Sequence, residues 1–301
     1  MKIATITIFC NEDFRLEAWK RYYMEYRGDI GLHVIVNNGR KEDTQLLKTA
    51  FPDSLVLESP TPNMMASYNM ALREILKDPE VDAIAQIVND IRLSEAGLST
   101  LYGLLEADRG LFAVSPVLLG KDCDVIDCYG CEINHRNLDF VHLDSGRRIS
   151  DLSDPMREVS GLPAGIFLAR RSYYETLGFQ DERLEMYADE IDMGLRVAAE
   201  GLKMAATTAV LAWHQHVNRG GKAVRSERAA FLMGRNPVYI ARKYPRRFSV
   251  LRVYFRRMFR GLDVIRSAIM HRKTADHYRF GVALMKGATT GLRMKRVIGQ
   301  E

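Results

Sequence analysis

The chain has 301 residues, 47% of them apolar and 27% charged, a globular composition that excludes disordered and fibrous proteins. No apolar run is long enough to cross a membrane, no secretion-signal pattern is present, and four cysteines in a chain of this size predict free thiols in a reducing cytosol. The net charge of +5 averages two unequal parts, because residues 219–301 carry +17 and residues 1–218 carry −12.

Strand-like and helix-like patterns alternate along the first part of the chain. Ile3–Phe9 alternates β-branched and small residues and predicts a strand that ends in a polar turn. The predicted elements that follow are a helix at 14–26, strands at 33–36 and 55–57, a helix at 64–76, a strand at 83–88, a helix at 98–106 and a strand at 112–114. This order predicts a mainly parallel sheet with helices on both faces.

Polar residues follow three of these predicted strands. In a parallel sheet, ligands gather at the carboxyl ends of the strands. One polar turn is ordinary, but three at the same edge of a sheet favour a ligand site; they are Asn11-Glu12, Asn37-Asn38 and Asn89-Asp90. Asp90 directly follows an apolar strand, so its carboxylate suits a magnesium or manganese ion that bridges a diphosphate. A helix cap or turn role is the alternative for Asp90.

Three carboxylates, Asp189, Glu190 and Asp192, crowd the start of a predicted helix that runs through Ala199. Acidic residues there are stabilised by the helix macrodipole. The same cluster can also supply a general base whose pKa is tuned by its neighbours, and both interpretations can hold together. His214 follows the apolar run 209–212 and is a candidate ligand, although such a histidine is more often a packing or surface residue.

Cys123, Cys128, Cys131 and His135 have a spacing that suits zinc. A structural zinc site needs four well-placed ligands, and residues 128–131 equally indicate a hairpin turn. The hairpin turn is the favoured interpretation.

The basic tail allows three interpretations. Residues 249–271 interleave apolar and aromatic residues with arginines, which suits an interfacial membrane helix, a nucleic-acid-binding helix or a solvated face packed on the preceding domain. Because no recognisable nucleic-acid motif accompanies the charge, the membrane interpretation is favoured over nucleic acid.

Taken in order, these motifs resemble a family 2 glycosyltransferase with the GT-A fold, most like the bacterial rhamnosyltransferase-type enzymes that build cell-surface polysaccharides. The resemblance covers nearly the whole chain. It is carried by residues 7–12, 36–39, 88–90, 165–171, 178–182 and 189–196, by His214 and by Arg235-Asn236. It implies an inverting, non-processive enzyme that moves one sugar from a nucleotide-sugar to an acceptor hydroxyl, usually with a divalent metal.

The resemblance also implies roles for individual residues. Asp90 matches the metal ligand, for magnesium or manganese, and His214 matches a histidine near the metal and the diphosphate. Glu190 matches the general base with Asp192 beside it, while Asp189 remains a rival because the usual order of the two acids is reversed. The implied donor-binding residues are Phe9, Asn11, Glu12, Asn37, Asn38, Asn89 and Gly165.

Two departures from the family pattern leave alternatives open. An aspartate is usual where this chain has Asn37, and an acid is usual at Val88. The donor base is therefore open, with UDP- and dTDP-sugars expected, and a degenerate protein that binds a nucleotide-sugar without catalysis is the rival.

The predicted organisation is a GT-A catalytic domain at residues 1–218 and a basic amphipathic helical extension at residues 219–301. The expected partners are a nucleotide-sugar donor, a glycan or lipid-linked acceptor and, through 219–301, an anionic membrane surface, with no nucleic acid. The expected location is the cytoplasm, peripheral at the inner face of the plasma membrane.

Overall fold

The computed structural model describes residues 1–121, 123–215, 226–271 and 275–295, which form two compact units. The first unit contains residues 1–121, 123–132, 142–183 and 193–215. The second unit contains residues 133–141, 184–192, 226–271 and 275–295. The predicted domain boundary after residue 218 lies outside the described residues.

The strands are β1 (Ile3–Phe9), β2 (Ile30–Asn37), β3 (Leu55–Glu58), β4 (Ala83–Ile87), β5 (Ile91–Leu93), β6 (Leu111–Leu119), β7 (Ile126–Cys128), β8 (Cys131–Asn134), β9 (Asp139–His142), β10 (Met156–Glu158), β11 (Ile166–Arg170) and β12 (Lys203–His214). The helices are α1 (Leu16–Tyr26), α2 (Asp43–Ala50), α3 (Met64–Ile75), α4 (Gly97–Ala107), α5 (Arg171–Leu177), α6 (Asp189–Ala199), α7 (Glu227–Lys243), α8 (Val250–Met270) and α9 (Ala275–Arg293).

The first unit is built on one large sheet with the strand order β10-β12-β6-β11-β4-β1-β2-β3. Strand β5 pairs with β12 and β7 pairs with β6, while β8 and β9 form a separate two-stranded sheet. Strands β3, β2, β1, β4, β6 and β12 point the same way, and β11 and β10 are antiparallel to their neighbours. The expected mainly parallel sheet is therefore present.

The central strand β1 is buried along its whole length because β2 and β4 flank it in the sheet and helix α3 packs against it. Helix α3 packs an apolar face that includes Tyr68 and Leu72, and the Asn63 side chain caps it by accepting a hydrogen bond from Ala66 N at 3.1 Å. Since β1 and β2 are parallel, with Phe9 opposite Asn37, their carboxyl ends meet at one edge.

The second unit contains the three C-terminal helices, and α7 and α9 pack closely through glycines. A Cβ at Gly234 would collide with the Leu284 carbonyl oxygen, and one at Gly287 would collide with that of Phe231. The helices can approach this closely only because these positions carry no side chain. Among the described helices, none combines the length and apolar character needed to cross a membrane.

Candidate active site

The loops after β1 and β2 interlock at the carboxyl edge of the sheet. Asn38 N donates to Phe9 O at 2.8 Å, and Asn11 Oδ1 accepts from Arg40 N at 2.8 Å. Asn11 has a left-handed φ of 54°, which asparagine tolerates better than most residues. A Cβ at Gly39 would collide with Asn11 Oδ1, so the interlock requires glycine there. The two polar turns predicted at this edge are therefore adjacent.

Asn37 is 1% exposed, and its side chain is engaged within its own loop. Its Oδ1 accepts from Gly39 N at 2.9 Å, and its Nδ2 donates to Arg40 O at 2.6 Å and to Thr44 Oγ1 at 2.9 Å. These contacts build the turn. A contact between Asn37 and the donor base stays a prediction.

Three other residues predicted to bind the donor, Phe9, Asn38 and Gly165, make contacts within the first unit. The Phe9 ring is fully buried and stacks on Trp19, with ring centroids 6.1 Å apart. Asn38 Oδ1 accepts from Ser67 Oγ at 3.2 Å. Gly165 O accepts from Val88 N at 2.9 Å, which brings the start of β11 beside the end of β4.

Glu12 and Asn89 join the first of these loops to the residues after β4. Asn89 Nδ2 donates to Glu12 Oε2 at 2.6 Å, and Arg15 Nη1 lies 3.8 Å from Glu12 Oε1. The Arg15 guanidinium also donates to the Asp90 carboxylate. A chain of side chains thus leads from the end of β1 to Asp90.

Asp90, His214 and Asp127 form the polar centre of the first unit. Nε2 of His214 lies 3.5 Å from Asp90 Oδ2, and its Nδ1 lies 3.2 Å from Asp127 Oδ2. Asp90 is 8% exposed, so water screens its charge weakly. The imidazole is held between two carboxylates, one on each nitrogen.

Sheet pairing brings these three residues together. Strand β5 pairs with β12 so that His214 lies opposite Ile91, and Gln215 N donates to Asp90 O at 2.8 Å. Strand β6 pairs with β12 on one side and with β7, which carries Asp127, on the other.

The charges around Asp90 shift the pKa values of the centre. Burial raises the pKa of Asp90, but the hydrogen bond and charge of His214 and the charge of Arg15 outweigh burial and lower this pKa to about 2. Burial lowers the pKa of His214, but Asp127 and Asp90 outweigh it and raise this pKa to about 9. At neutral pH, these contacts favour an ionised Asp90 and a protonated His214.

The donor set at this centre fits a divalent cation. A carboxylate oxygen and an imidazole nitrogen 3.5 Å apart are close to the spacing of about 3 Å expected between neighbouring ligands of one octahedral ion. Metal-bound histidines usually donate their second ring N–H to a carboxylate, and Asp127 occupies that place. Asp90 and His214 are therefore the residues that can hold the metal, with Asp127 orienting the imidazole.

The predicted base cluster belongs to the first turn of α6. Asp189 is 8% exposed, and Glu190 is half-buried beside it. Burial raises the pKa of both carboxyls, to about 6 for Asp189, and the charge of Asp189 raises the pKa of Glu190 further. At mildly acidic pH, the Asp189–Glu190 pair therefore retains a proton and is not fully ionised.

Asp192, the third predicted member of that cluster, has the contacts of a buried ion pair. It is 1% exposed, and its Oδ1 accepts from Lys243 Nζ at 2.7 Å and from Tyr244 Oη at 3.0 Å. The Lys243 side chain is 2% exposed. These contacts tie α6 to the end of α7, while a catalytic role for Asp192 stays a prediction.

A strained loop precedes the base cluster. Glu185, Tyr187 and Ala188 all have left-handed φ values, between 60° and 66°, although none is glycine. Such residues cost about 1–3 kcal/mol each and persist only where the surrounding structure holds them. This backbone strain lies immediately before the predicted catalytic residues. Secondary-structure propensities of the sequence do not predict it.

Arg235 and Asn236 of α7 hold that loop. The fully buried Asn236 side chain donates to the carbonyl oxygens of Leu184, Met186 and Tyr187 at 2.8–2.9 Å. Arg235 donates to Leu184 O at 3.0 Å and to Glu185 Oε1 at 2.6 Å. The Arg235-Asn236 motif therefore fixes the backbone that leads into Asp189 and Glu190.

Arg15 and Asp127 were absent from the predicted site, and both contact it directly. Arg15 lies in a short 3-10 turn before α1 and Asp127 in the three-residue β7. Neither position has a periodic or motif signal; long-range strand pairing brings Asp127 to His214, and the turn after β1 brings Arg15 to Asp90.

Comparison with known proteins gives a fold and no family assignment by sequence. No family model matches the sequence, and no curated protein matches it. The chain is similar to the crystal structure of GalNAc-T7 with UDP, GalNAc and Mn²⁺, with a TM-score of 0.59 and 11% identity over 81% of this chain. It is also similar to S. aureus TarS 1-349, with a TM-score of 0.51 and 12% identity over 79% of this chain.

The chain spans 50% of the matched GalNAc-T7 chain and 65% of the matched TarS chain. At this identity the likeness concerns the fold. The predicted GT-A fold, with C-terminal helices, is confirmed.

Proposed function

We propose that this chain is an inverting, metal-dependent glycosyltransferase of the family 2 type that adds one sugar at a time from a nucleotide-sugar. The observation that carries the proposal is the Asp90–His214–Asp127 centre at the strand ends of a GT-A fold. Further support comes from GalNAc-T7, whose structure contains UDP and Mn²⁺. A UDP- or dTDP-sugar is the proposed donor, and the proposed acceptor is a hydroxyl of a glycan or lipid-linked glycan of a cell-surface polysaccharide.

The proposed chemistry has two requirements. Positive charge must stabilise the leaving diphosphate, and a base must accept the proton of the acceptor hydroxyl. Asp90 and His214 would hold a divalent cation, magnesium or manganese, which would neutralise negative charge on the departing diphosphate. Arg15 adds a second cationic group next to Asp90. Glu190, or Asp189 as the alternative base, accepts the proton of the acceptor hydroxyl. The hydroxyl oxygen attacks the anomeric carbon from the face opposite the leaving diphosphate.

A degenerate protein that binds a nucleotide-sugar without turnover is the second candidate. The observation in its favour is that the Asp90 carboxylate is already paired with two basic side chains, Arg15 and His214. Val88 also replaces the first acid of the family's metal motif.

Both candidates are tested by incubating the purified chain with a panel of UDP-, dTDP- and GDP-sugars, with and without Mn²⁺ or Mg²⁺. Release of nucleoside diphosphate is the readout for turnover, and calorimetry is the readout for binding. We expect metal-stimulated release from one donor class and its loss in Asp90→Ala. Binding without release would favour the degenerate protein, and neither binding nor release would contradict both candidates.

Activity should fall on the acidic side at a pH well above the range of about 4 that is usual for carboxyl groups. Burial raises the pKa of Asp189 to about 6 and also raises the pKa of Glu190, so the carboxylate that must accept a proton becomes protonated above that usual range. The pH profile of kcat/KM measures this acidic limb. A limb near pH 4 would contradict a base drawn from this pair.

Asp127→Asn should lower the affinity for Mn²⁺ by about 10- to 100-fold, because the carboxylate that orients the His214 imidazole is lost. Calorimetric titration of Mn²⁺ into the variant measures the change. Asp124→Asn is the matched control, since Asp124 is exposed and its carboxylate pairs with Arg148 and not with His214. Equal Mn²⁺ affinity in the Asp127 and Asp124 variants would contradict this role.

The proposed membrane partner rests on the exposed face of α8. Leu251, Phe255, Phe259, Leu262 and Ile269 are between 48% and 66% exposed and recur at helical spacing along one face. Exposed arginines lie beside this apolar stripe, at positions 252, 256, 260 and 266. An apolar stripe bordered by arginines suits an anionic lipid surface, in which the ring side chains insert below the headgroups.

Phe255→Glu combined with Phe259→Glu should lower the affinity for phosphatidylglycerol-containing vesicles by about tenfold or more, since each buried phenylalanine contributes about 1.5–3 kcal/mol. Vesicle flotation over a range of salt concentrations measures this. Met24→Glu, at a 67% exposed position on α1, is the control for an apolar-to-acidic change elsewhere. Binding of the wild-type chain to DNA but not to vesicles would reject the membrane partner in favour of nucleic acid.

A further inference from the structure

A second group of metal-binding side chains lies away from Asp90, at the turn between β7 and β8. Cys128, Cys131 and His142 bring one ligand atom each to within 4.8 Å of one another. The two sulfur atoms are 3.4 Å apart. Both cysteines are fully buried, whereas His142 lies on the surface.

The backbone holds these three residues in place. Gly130, between the two cysteines, has a left-handed φ of 77°, and a Cβ there would collide with Val159. Tyr129 N donates to Leu143 O and Leu143 N donates to Gly130 O, both at 3.0 Å, which ties His142 to the turn. Cys131 and Gly161 exchange two backbone hydrogen bonds at 3.0 and 3.1 Å. The ligands are thus preorganised by hydrogen bonds that need no metal.

The chemistry of the donors selects the kind of metal. Two thiols and an imidazole are the donors that zinc prefers, and sulfurs bound to one tetrahedral zinc at ~2.3 Å lie about 3.8 Å apart. The observed 3.4 Å is near that value and well outside the bonded length of about 2.05 Å in a disulfide. Two thiolates also cancel the charge of Zn²⁺, which lowers the cost of burying either charge at this depth.

We infer that Cys128, Cys131 and His142 form a zinc(II) site of this chain, with water or another exchangeable ligand at the fourth position beside the exposed imidazole. Among the described residues the group contains neither Cys123 nor His135, the other two members of the zinc spacing considered from the sequence. His135 instead stacks on Phe248, with ring centroids 6.2 Å apart.

The inferred zinc site is linked to the Asp90–His214–Asp127 centre because one of its ligands, Cys128, is next to Asp127 in the sequence. Asp127, which hydrogen-bonds the His214 imidazole, directly precedes Cys128 in β7. Zinc that joins Cys128 to the end of β9 therefore restrains the strand that positions Asp127. The site itself does not depend on the proposed function, because zinc binding is measured without any donor or acceptor.

The test uses the full chain, stripped with a chelator and reloaded with Zn²⁺ or, as a spectroscopic probe, Co²⁺. We expect one tightly bound Zn²⁺ that Cys128→Ser and His142→Ala each remove, and a thiolate-to-cobalt charge-transfer band that Cys131→Ser abolishes. Cys123→Ser and His135→Ala are the matched controls and should keep both signals. Because His142 is exposed, its variant should fold normally, which circular dichroism and thermal melting check.

Counting reactive thiols distinguishes a zinc site from a disulfide between Cys128 and Cys131. The count is made in denaturant, which exposes the two buried cysteines, and all four thiols should react with a thiol reagent once the chelator is added, without any reductant. Two cysteines that become reactive only after reduction, without bound metal, would overturn the proposal in favour of a disulfide. Zinc that stays bound in the His142→Ala and Cys128→Ser variants would also overturn it.

Discussion

Replacing Glu190 with glutamine is expected to lower the transfer rate by about 10²- to 10⁴-fold, the range that a positioned general base contributes. Glutamine keeps the size and the hydrogen-bonding ends of the side chain but cannot accept the proton of the acceptor hydroxyl. Initial rates with the donor found in the panel, at saturating metal, measure the change. Because glutamine removes a charge from the Asp189–Glu190 pair, the fold and the donor affinity should persist.

Asp189→Asn is the comparison that decides between the two carboxylates. If Glu190 is the base, the Asp189 variant keeps most of the rate, and the acidic limb of its pH profile moves down because the repelling charge is gone. Full activity in Glu190→Gln would reject the assignment of Glu190. Loss of activity in Asp189→Asn, but not in Glu190→Gln, would instead identify Asp189 as the base.

Lys243→Met is expected to lower the free energy of unfolding by about 3–5 kcal/mol, because it leaves the carboxylate of Asp192 buried without its cation. The pair is 2.7 Å apart, and each side chain is at most 2% exposed, so water cannot replace the lost partner. Urea denaturation followed by fluorescence measures the change. Lys286→Met, at an exposed position on α9, controls for the loss of a lysine and should stay within about 0.5 kcal/mol of the wild type.

The double variant Asp192→Leu with Lys243→Met tests the reason for that loss. Apolar replacement of both members of a buried pair is often neutral or stabilising, so the double variant should recover most of the stability. A double variant as unstable as Lys243→Met would mean that lost packing, and not an unpaired charge, accounts for the effect.

Local patterns were sufficient for much of the fold. Ile3–Phe9 was predicted at its observed bounds, and the predicted helix at 64–76 agrees with α3 to within one residue. Asp90 and His214 were predicted as ligands because each follows an apolar run, and that role stays a prediction, while the sheet places their side chains 3.5 Å apart. These inferences depend on short-range periodicity, which the chain expresses clearly in its buried strands.

The side chains that contact Asp90 and His214 could not be predicted, because non-local pairing brings them there. Asp127 reaches His214 only through the pairing of β7 with β6 and of β6 with β12, and a three-residue strand carries no periodic signal. The zinc spacing pointed to His135, but the backbone hydrogen bonds of Leu143 bring His142 to the two cysteines instead. Sequence distance is a poor guide to such contacts when a turn reverses the chain.

Arg235-Asn236 was noticed as a motif without a physical role, and its contacts supply one. Three carbonyl oxygens in a loop with left-handed residues need a donor that reaches all of them, and the Asn236 amide does so. Asparagine at this position is explained by the loop 50 residues earlier in the chain, which no local pattern encodes.

The contacts of Asn236 also determine where the chain can be shortened. Loop 184–188 receives its backbone hydrogen bonds from α7, so a fragment that ends before Glu227 retains Asp189 and Glu190 in sequence but loses the support of the turn that presents them. In such a fragment, hydrogen exchange would be fast across 184–192 and proteases would cut there first. Helix α7 is thus part of the structure that holds loop 184–188, and a test of Asp189 and Glu190 requires a chain that contains it.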